Sequence, residues 1–245
     1  MRAPANTKMK RSPQRALQRT VREALLALAE PARAPAMQAY MKSDMPFLGV
    51  SAARVKAACR GAFAAYPFES ALAWRSDVLF LWRTARHREE RYAALWLSGQ
   101  RKAQPFQDLD ALPMYEELIV TGAWWDYVDE LAEHRIGPLL AAYPGPMRKA
   151  MRAWSRSDNL WKRRSSIICQ MFFREATDLN LLFSCIEPSL SSPEFFLRKA
   201  IGWALRQVGK HDPQAVRQYV KEHRAQLSGL SQREALKHLS RARAL

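Results

Sequence analysis

Apolar side chains recur every three or four positions along most of the 245-residue chain, a spacing that places them on one face of an α-helix. Short turns with Pro, Gly, Ser or Asp separate the periodic segments, and MPFLGVS (45–51) predicts a connector between two of them. The pattern predicts about a dozen short helices joined by brief turns, which favours an all-α fold of stacked helical hairpins. Among the predicted helices are AWWDYVDELAEHRI (123–136), LWKRRSSIICQMFFREA (160–176) and PEFFLRKAIGWALRQVGKH (193–211).

Two of these helices carry a weak internal echo. WKRRS (161–165) resembles FLRKA (196–200), because each is an aromatic residue followed within the next three positions by a basic pair and then a small residue. The two segments are 35 residues apart, and an offset near 40 suits two-helix repeats of the HEAT type. The echo favours an α-solenoid, in which equivalent faces of successive helices line one concave groove.

Composition supports this class and adds a charge. The chain has only 9 Gly, and helix formers such as Ala, Leu, Arg, Glu and Gln dominate. Lys and Arg number 39 against 23 Asp and Glu, giving a net charge of +16. Such a basic chain usually meets a polyanion, so the groove is expected to be basic and to bind nucleic acid, a membrane surface being the lesser candidate. No apolar run reaches the roughly 18 residues that a membrane-spanning helix needs. The expected partner is duplex DNA and not a membrane.

The termini and the compartment give further expectations. Residues 1–17 are basic and carry no acidic side chain, which predicts a flexible basic arm; a plain disordered terminus explains them equally well. A single domain is then expected over 18–245, as a monomer, in a cytoplasmic and nucleoid-associated setting. Three Cys without a C-x-x-C pair, and five His without ligand spacing, argue against disulfides and against a metal site.

One stretch conflicts with the overall charge. In TGAWWDYVDEL (121–131) two tryptophans are followed by Asp126 and Asp129. Residues four apart share a helix face, so Trp125 and Asp129 are expected to project together. Trp124, Val128 and Leu131 are expected to form a neighbouring apolar stripe that faces the core. Asp126 falls in the first turn, where it interacts with the helix dipole or orients a basic neighbour.

The following helices place more candidates on the same predicted surface. Aromatic rings and arginines suit a nucleic-acid backbone, because guanidinium groups pair with phosphates and rings pack on sugars or bases. A carboxylate there would repel phosphate, and stabilising a transient cation is a physical reason to keep one. Beside Trp125 and Asp129, the candidate surface holds Trp203 and the basic residues Lys162, Arg163, Arg164, Arg198, Lys199 and Arg206.

The chain resembles the DNA alkylation repair family, the AlkD-like DNA glycosylases built from HEAT-like repeats. The pattern WWD-x-VD followed by FF-x-RKAIGWALR is specific, and the similar segments span about 170 residues in the family's order. They are QAYMKSDMPFLGV (38–50), EERYAALWL (89–97), PMYEELIVTGAWWDYVDEL (113–131), NLWKRRSSI (159–167) and PEFFLRKAIGWALR (193–206).

The resemblance implies a role for each matching residue. Asp129 is expected to be the catalytic carboxylate, stabilising an oxocarbenium-like deoxyribose and holding the attacking water. Trp125 and Trp203 are expected to pack on the backbone around the lesion, and Arg164 to hold a phosphate. The implied activity is monofunctional excision of cationic N3- or N7-alkylated purines from duplex DNA, with no cofactor and no metal.

Two other functions fit the residues. A non-catalytic HEAT-like scaffold would bind branched or damaged DNA, but it gains nothing from Asp129 in its groove. A helical-repeat adaptor would instead bind an acidic protein partner. Binding to duplex DNA at moderate salt would disfavour the adaptor, although salt dependence alone separates the two less cleanly.

Overall fold

The computed structural model describes residues 13–239, and within that range the fold is all-α, as the pattern predicts. The described chain divides into two compact units, residues 13–106 and 107–239. Whether 18–245 behaves as the single domain expected from the sequence stays a prediction. Residues 13–17 of the expected arm are helical, since the first helix begins at Pro13, and residues 1–12 lie outside the described range.

The first unit contains five α-helices and one 3-10 helix. Its buried centre includes Trp74, Val78 and Trp82, all on one helix, with Leu25 and Leu97 from two others. The Trp74 Nε1–H donates to the carbonyl of Leu97 at 3.2 Å, so the largest buried side chain also satisfies its one polar atom. The elements are α1 (Pro13–Leu26), α2 (Ala34–Met41), α3 (Ala52–Ala62), α4 (Ala71–Arg83), α5 (Arg88–Ser98) and the 3-10 helix Arg101–Phe106.

The predicted connector at 45–51 is confirmed, and a buried carboxylate holds it. The Glu89 side chain is fully buried and accepts backbone N–H bonds from Leu48, Gly49 and Val50 at 3.0–3.1 Å. Gly49 adopts φ +83°, and a Cβ there would lie 2.1 Å from the Glu30 carbonyl oxygen. Only glycine meets both requirements, which accounts for the FLGV segment and the glutamate of EERY together.

The second unit contains nine α-helices and carries every residue of the candidate surface. Helix α10 packs on α7, α9, α11 and α12, and α12 packs closely on α14. The elements are the 3-10 helix Leu109–Ala111, α6 (Leu112–Gly122), α7 (Trp125–Leu131), the π-helix Ala132–Ile136, α8 (Gly137–Ala142), α9 (Pro144–Ser155), α10 (Leu160–Ile168), the 3-10 helix Arg174–Ala176, α11 (Leu179–Ile186), the 3-10 helix Glu187–Ser189, α12 (Phe195–Val208), α13 (Pro213–Glu222) and α14 (Gly229–Leu236).

Close packing sets α12 against α14. A Cβ on Gly202 would lie 2.5 Å from the Glu234 Cβ and 3.0 Å from the Ser231 carbonyl oxygen. The Ser231 hydroxyl donates to the Arg198 carbonyl at 2.9 Å, which links the two helices through a polar contact as well. The glycine of KAIGW therefore has a packing reason, and α12 is held firmly at the position where it presents Trp203.

Two predicted helices end differently in the structure. The segment 160–176 is not one helix, because α10 ends at Ile168 and the chain turns back. The Gln170 side chain bonds both the N–H and the carbonyl of Asp178, which ties this return in place. The segment 123–136 begins as α7 only at Trp125 and continues through the π-helix directly into α8. Proline has no backbone N–H to donate to the preceding helical turn. Pro138 stands at the start of α8, directly after the π-helix, where the regular hydrogen-bond ladder is already interrupted.

Candidate active site

The tryptophan pair stands at the start of α7. Helix α6 ends at Gly122, and Ala123 takes the left-handed conformation with φ +44°. Trp124 is then extended, as the residue before the helix, and it is half-buried rather than fully buried as the sequence predicted. Val128 and Leu131 are fully buried, as expected.

Trp124 belongs to an aromatic cluster with one residue of α10 and one of α12. Its ring lies 6.1 Å from that of Trp161 and 5.4 Å from that of Phe196, and the Trp161 and Phe196 rings are 5.0 Å apart. Trp161 and Phe196 are the first residues of the two echoed segments. The echo at an offset of 35 therefore marks two residues that meet in space, at the N-terminal ends of α10 and α12.

Beside this cluster, Asp129 and Arg164 form a two-pronged ion pair. The Arg164 Nε–H donates to Asp129 Oδ1 and its Nη2–H to Asp129 Oδ2, both at 2.7 Å. The side chains are 14% and 4% exposed, so the pair is nearly withdrawn from water. A guanidinium meeting both oxygens is the geometry of an ionised carboxylate, and it fixes the orientation of Asp129 as well as its charge.

The rest of the Arg164 guanidinium is also engaged. Its Nη1–H donates to the Phe196 carbonyl at 2.6 Å, and the group lies 5.9 Å from the Phe196 ring. Asn159 starts α10 one turn earlier by accepting from the N–H groups of Trp161 and Lys162, which sets the helix that presents Arg164. This buried position favours holding Asp129 over the phosphate contact that the resemblance implied.

Opposing effects act on the Asp129 carboxyl. Burial raises its pKa above the usual aspartate value, and Asp126 adds to the rise. The hydrogen bonds and positive charge of Arg164 lower the pKa in turn. The charge of Asp129 therefore depends on Arg164, and the site holds a carboxylate where a cation can be stabilised at short range.

Three further predicted residues are half-buried in the second unit. Trp125 and Asp126 open α7, with Asp126 in the first turn of the helix, where the sequence placed it. Trp203 lies two turns after Phe196 on α12 and packs against the core of this unit. Residues seven apart lie on one helix face, so Trp203 extends the side of α12 that carries Phe196.

The predicted basic residues of α10 already have protein partners. Lys162 pairs with Glu116 at 2.6 Å, and its ammonium lies 5.5 Å from the Trp154 ring. Arg163 donates to the Ser189 hydroxyl at 2.9 Å. Such partly exposed contacts are weak, so a phosphate can displace them at little cost.

Two of the three basic residues of α12 converge on one carboxylate. Lys199 and Arg206 pair with Glu234 at 2.7 and 2.5 Å. Arg198 is half-buried, and its Nε–H has no acceptor among the described residues. The two charges against one leave this part of the unit cationic.

Sequence reasoning missed two groups in this unit. Glu133 follows Asp129 by four residues, and this spacing on one helix face is a signal that could have identified it. Arg174, Lys210 and His211 line a cavity of about 270 Å³. Its other lining residues are Ile167, Gln170, Met171, Phe172, Thr177, Leu182, Ala204, Gln207 and Val208. No periodic signal joins these three residues, since two separate turns of the chain bring them together.

Residues 13–239 hold no group of three or more His, Cys, Asp or Glu side chains placed to bind a metal ion. Within the same range, no helix has the length and apolar character to cross a membrane.

All three cysteines are buried, and burial raises the pKa of the Cys59 thiol to about 12 and that of Cys185 to about 11.

Comparison with known proteins gives the chain its family. The family profile of the DNA alkylation repair enzymes matches residues 21–239. A solved structure described as a predicted DNA alkylation repair enzyme from Enterococcus faecalis is similar over 86% of this chain and 96% of its own, with 29% identity and a TM-score of 0.76. A search of curated proteins found no significant match. The match over nearly the whole described range shows that the chain belongs to the DNA alkylation repair enzyme family.

Proposed function

We propose that this protein is a monofunctional DNA glycosylase that removes cationic N3- or N7-alkylated purines from duplex DNA. The observation that carries the proposal is the Asp129 carboxylate, nearly buried and held through both oxygens by Arg164 beside an aromatic cluster. A chain with net charge +16 gains nothing for phosphate binding from a carboxylate at this position. Its value lies in stabilising positive charge that develops during a reaction.

The chemistry of the lesion supplies that charge. A purine alkylated at N3 or N7 is cationic, and when the glycosidic bond breaks the base leaves neutral with the bonding electrons. Positive charge then passes to the deoxyribose, which becomes oxocarbenium-like. Asp129 stabilises this sugar and helps to position the water that attacks it, while Trp125 and Trp203 pack against the backbone around the lesion.

Arg164 acts on Asp129 rather than on the DNA in this proposal. Its guanidinium is 4% exposed and bonds two Asp129 oxygens and the Phe196 carbonyl, which leaves it poorly placed for a phosphate. The phosphate contacts fall to basic residues that are more exposed. These are Lys162, Arg163, Arg198, Lys199 and Arg206.

The test is release of 7-methylguanine and 3-methyladenine from a methylated duplex. The purified protein is compared with Asp129→Asn, which keeps the shape of the side chain and removes its charge. Asp110→Asn is the matched control, because Asp110 is exposed in the same unit and loses the same charge. We expect release by the parent and the control, and a loss of at least a hundredfold for Asp129→Asn.

Each other outcome has a definite meaning. If Asp129→Asn releases the alkylated bases as fast as the parent, the protein is still a glycosylase, but Asp129 is not its catalytic carboxylate. Duplex binding without release of either base would refute the glycosylase and favour the DNA-binding scaffold. Preference for an acidic protein over duplex DNA would favour the adaptor. Monomeric state and a cytoplasmic, nucleoid-associated location stay predictions.

A further inference from the structure

A second carboxylate stands beside Asp129 with an unoccupied oxygen. Glu133 lies four residues after Asp129, in the π-helix Ala132–Ile136 that continues α7. The side chain is half-buried, and its Oε1 atom is buried without a hydrogen-bond donor among residues 13–239. A buried oxygen without a donor is costly, and an instance in a folded protein calls for a reason.

The backbone around Glu133 is itself unusual. π-helical turns are rare, and they occur most often at functional sites, where they redirect side chains. This one starts three residues after Asp129 and packs against α10, the helix that carries Arg164. The turn therefore directs Glu133 within the electrostatic range of the Asp129–Arg164 pair.

The two carboxylates differ in what their oxygens can still accept. Both Asp129 oxygens receive short bonds from the Arg164 guanidinium, so each already has a donor. The buried oxygen of Glu133 receives none among the described residues. Of the two carboxylates, Glu133 is thus the one with an oxygen that can still accept a hydrogen bond.

The charges that face Glu133 tune it for proton transfer. They are Asp129 and Glu130 on α7 and Arg164 on α10. Burial and the two acidic neighbours raise the pKa of Glu133 to about 7, while Arg164 lowers it. A carboxyl that changes protonation near neutral pH is suited to general acid–base work, because an effective base has a pKa near the working pH.

We propose that Glu133 is the general base that takes the proton from the attacking water, while Asp129 stabilises the sugar cation. This inference rests on the proposed function. The C1′–N bond breaks and its electron pair leaves with the purine, which becomes neutral. The water oxygen bonds to C1′, one water proton passes to the Glu133 carboxylate, and that proton is later released to solvent. The products are the free base and an abasic deoxyribose.

The test is the single-turnover rate of 7-methylguanine release between pH 5.5 and 9, corrected for release from the duplex alone. It compares the parent, Glu133→Gln, and Glu222→Gln, an exposed control on α13 with the same change. We expect the parent and control rates to rise through about pH 7 and level off. We expect Glu133→Gln to be at least tenfold slower on the plateau, without that rise, and to bind the methylated duplex within twofold of the parent.

A third variant separates the base from a structural role. Glu133→Asp keeps a carboxylate on a shorter side chain, so it should recover part of the rate and of the pH-dependent rise. A Glu133→Gln protein with the parent rate and profile overturns the inference and leaves the proposed function standing. A slower Glu133→Gln protein that keeps the rise through pH 7 also overturns it. A parent that releases neither alkylated base refutes the proposed function, and this inference with it.

Discussion

Replacing Arg164 by methionine would leave the nearly buried Asp129 carboxylate without its guanidinium partner. The variant loses two charge-assisted bonds to Asp129 and one to the Phe196 carbonyl, all at 2.6–2.7 Å. The two side chains are 4% and 14% exposed, so solvent replaces little of what is lost. Removing one partner of a buried pair costs about 3–5 kcal/mol, and we expect the free energy of unfolding to fall by that amount.

A matched control separates burial from the ion pair itself. Arg148 pairs with Asp178 at the same 2.7 Å, but its side chain is 48% exposed. We expect Arg148→Met to cost less than about 1 kcal/mol, because exposed pairs contribute little. The comparison holds the bond length constant and changes the access of water.

The assay is urea unfolding at pH 7.5 of the parent, the two single variants Arg164→Met and Asp129→Asn, and their double variant. We expect the double variant to be more stable than Arg164→Met, because the amide does not require a counter-charge. Base release should also change: without Arg164 the pKa of Asp129 rises further, so residual activity should increase with pH as the carboxylate ionises. An Arg164→Met protein no less stable than Arg148→Met, or a coupling energy near zero, would refute the buried pair.

Three further predictions concern stability and reactivity. The folded protein holds a proton on Glu133 that the unfolded chain releases above its ordinary pKa of 4.5, so this side chain lowers stability as pH rises from about 4.5 to 7. Glu133→Gln should therefore be more stable than the parent at pH 8 by about 1–2 kcal/mol, a figure reduced for the solvent that reaches a half-buried side chain. This gain in the free energy of unfolding should vanish near pH 4.5. Urea titrations that give an equal gain at both pH values would contradict the prediction. Glu89→Gln should lower the free energy of unfolding by about 3 kcal/mol, because an amide has only one oxygen to accept from three backbone N–H donors. A change below about 1 kcal/mol in the same assay would contradict the conclusion that Glu89 holds the connector at 45–51. The Cys59 thiol should resist alkylating reagents at pH 7.5 until urea unfolds the protein, because burial raises its pKa to about 12; rapid labelling of the folded protein would contradict its burial.

Much of the site could be found from local patterns. The spacing of Trp125 and Asp129 follows helical geometry, and the specific motifs around Asp129 and Trp203 carry the family resemblance. The repeat echo begins at Trp161 and Phe196, and the structure shows that their rings are 5.0 Å apart. These features were accessible because each depends on residues within a few turns of one another, or on a motif that is read directly.

Other parts of the site depend on the path of the backbone. Trp124 was expected on a buried helix stripe, but Ala123 is left-handed and α7 starts at Trp125, two residues later than predicted. The half-buried Trp124 ring lies 5.4 Å from that of Phe196. The π-helix that directs Glu133 has the same hydrophobic pattern as an ordinary helix turn. A single residue in a different backbone conformation changes which face a side chain occupies, and periodicity does not encode that change.

The sequence by itself determined the all-α class, the basic charge, the connector at 45–51 and the family of the chain. Only the tertiary structure decided that Arg164 holds Asp129 rather than lying open to phosphate, and that Glu133 has a buried oxygen without a donor. The physical reason is that the pairing and hydration of a charge depend on how α7, the π-helix and α10 pack. Asp129 and Arg164 are 35 residues apart in the chain, so their partnership exists only once those helices meet.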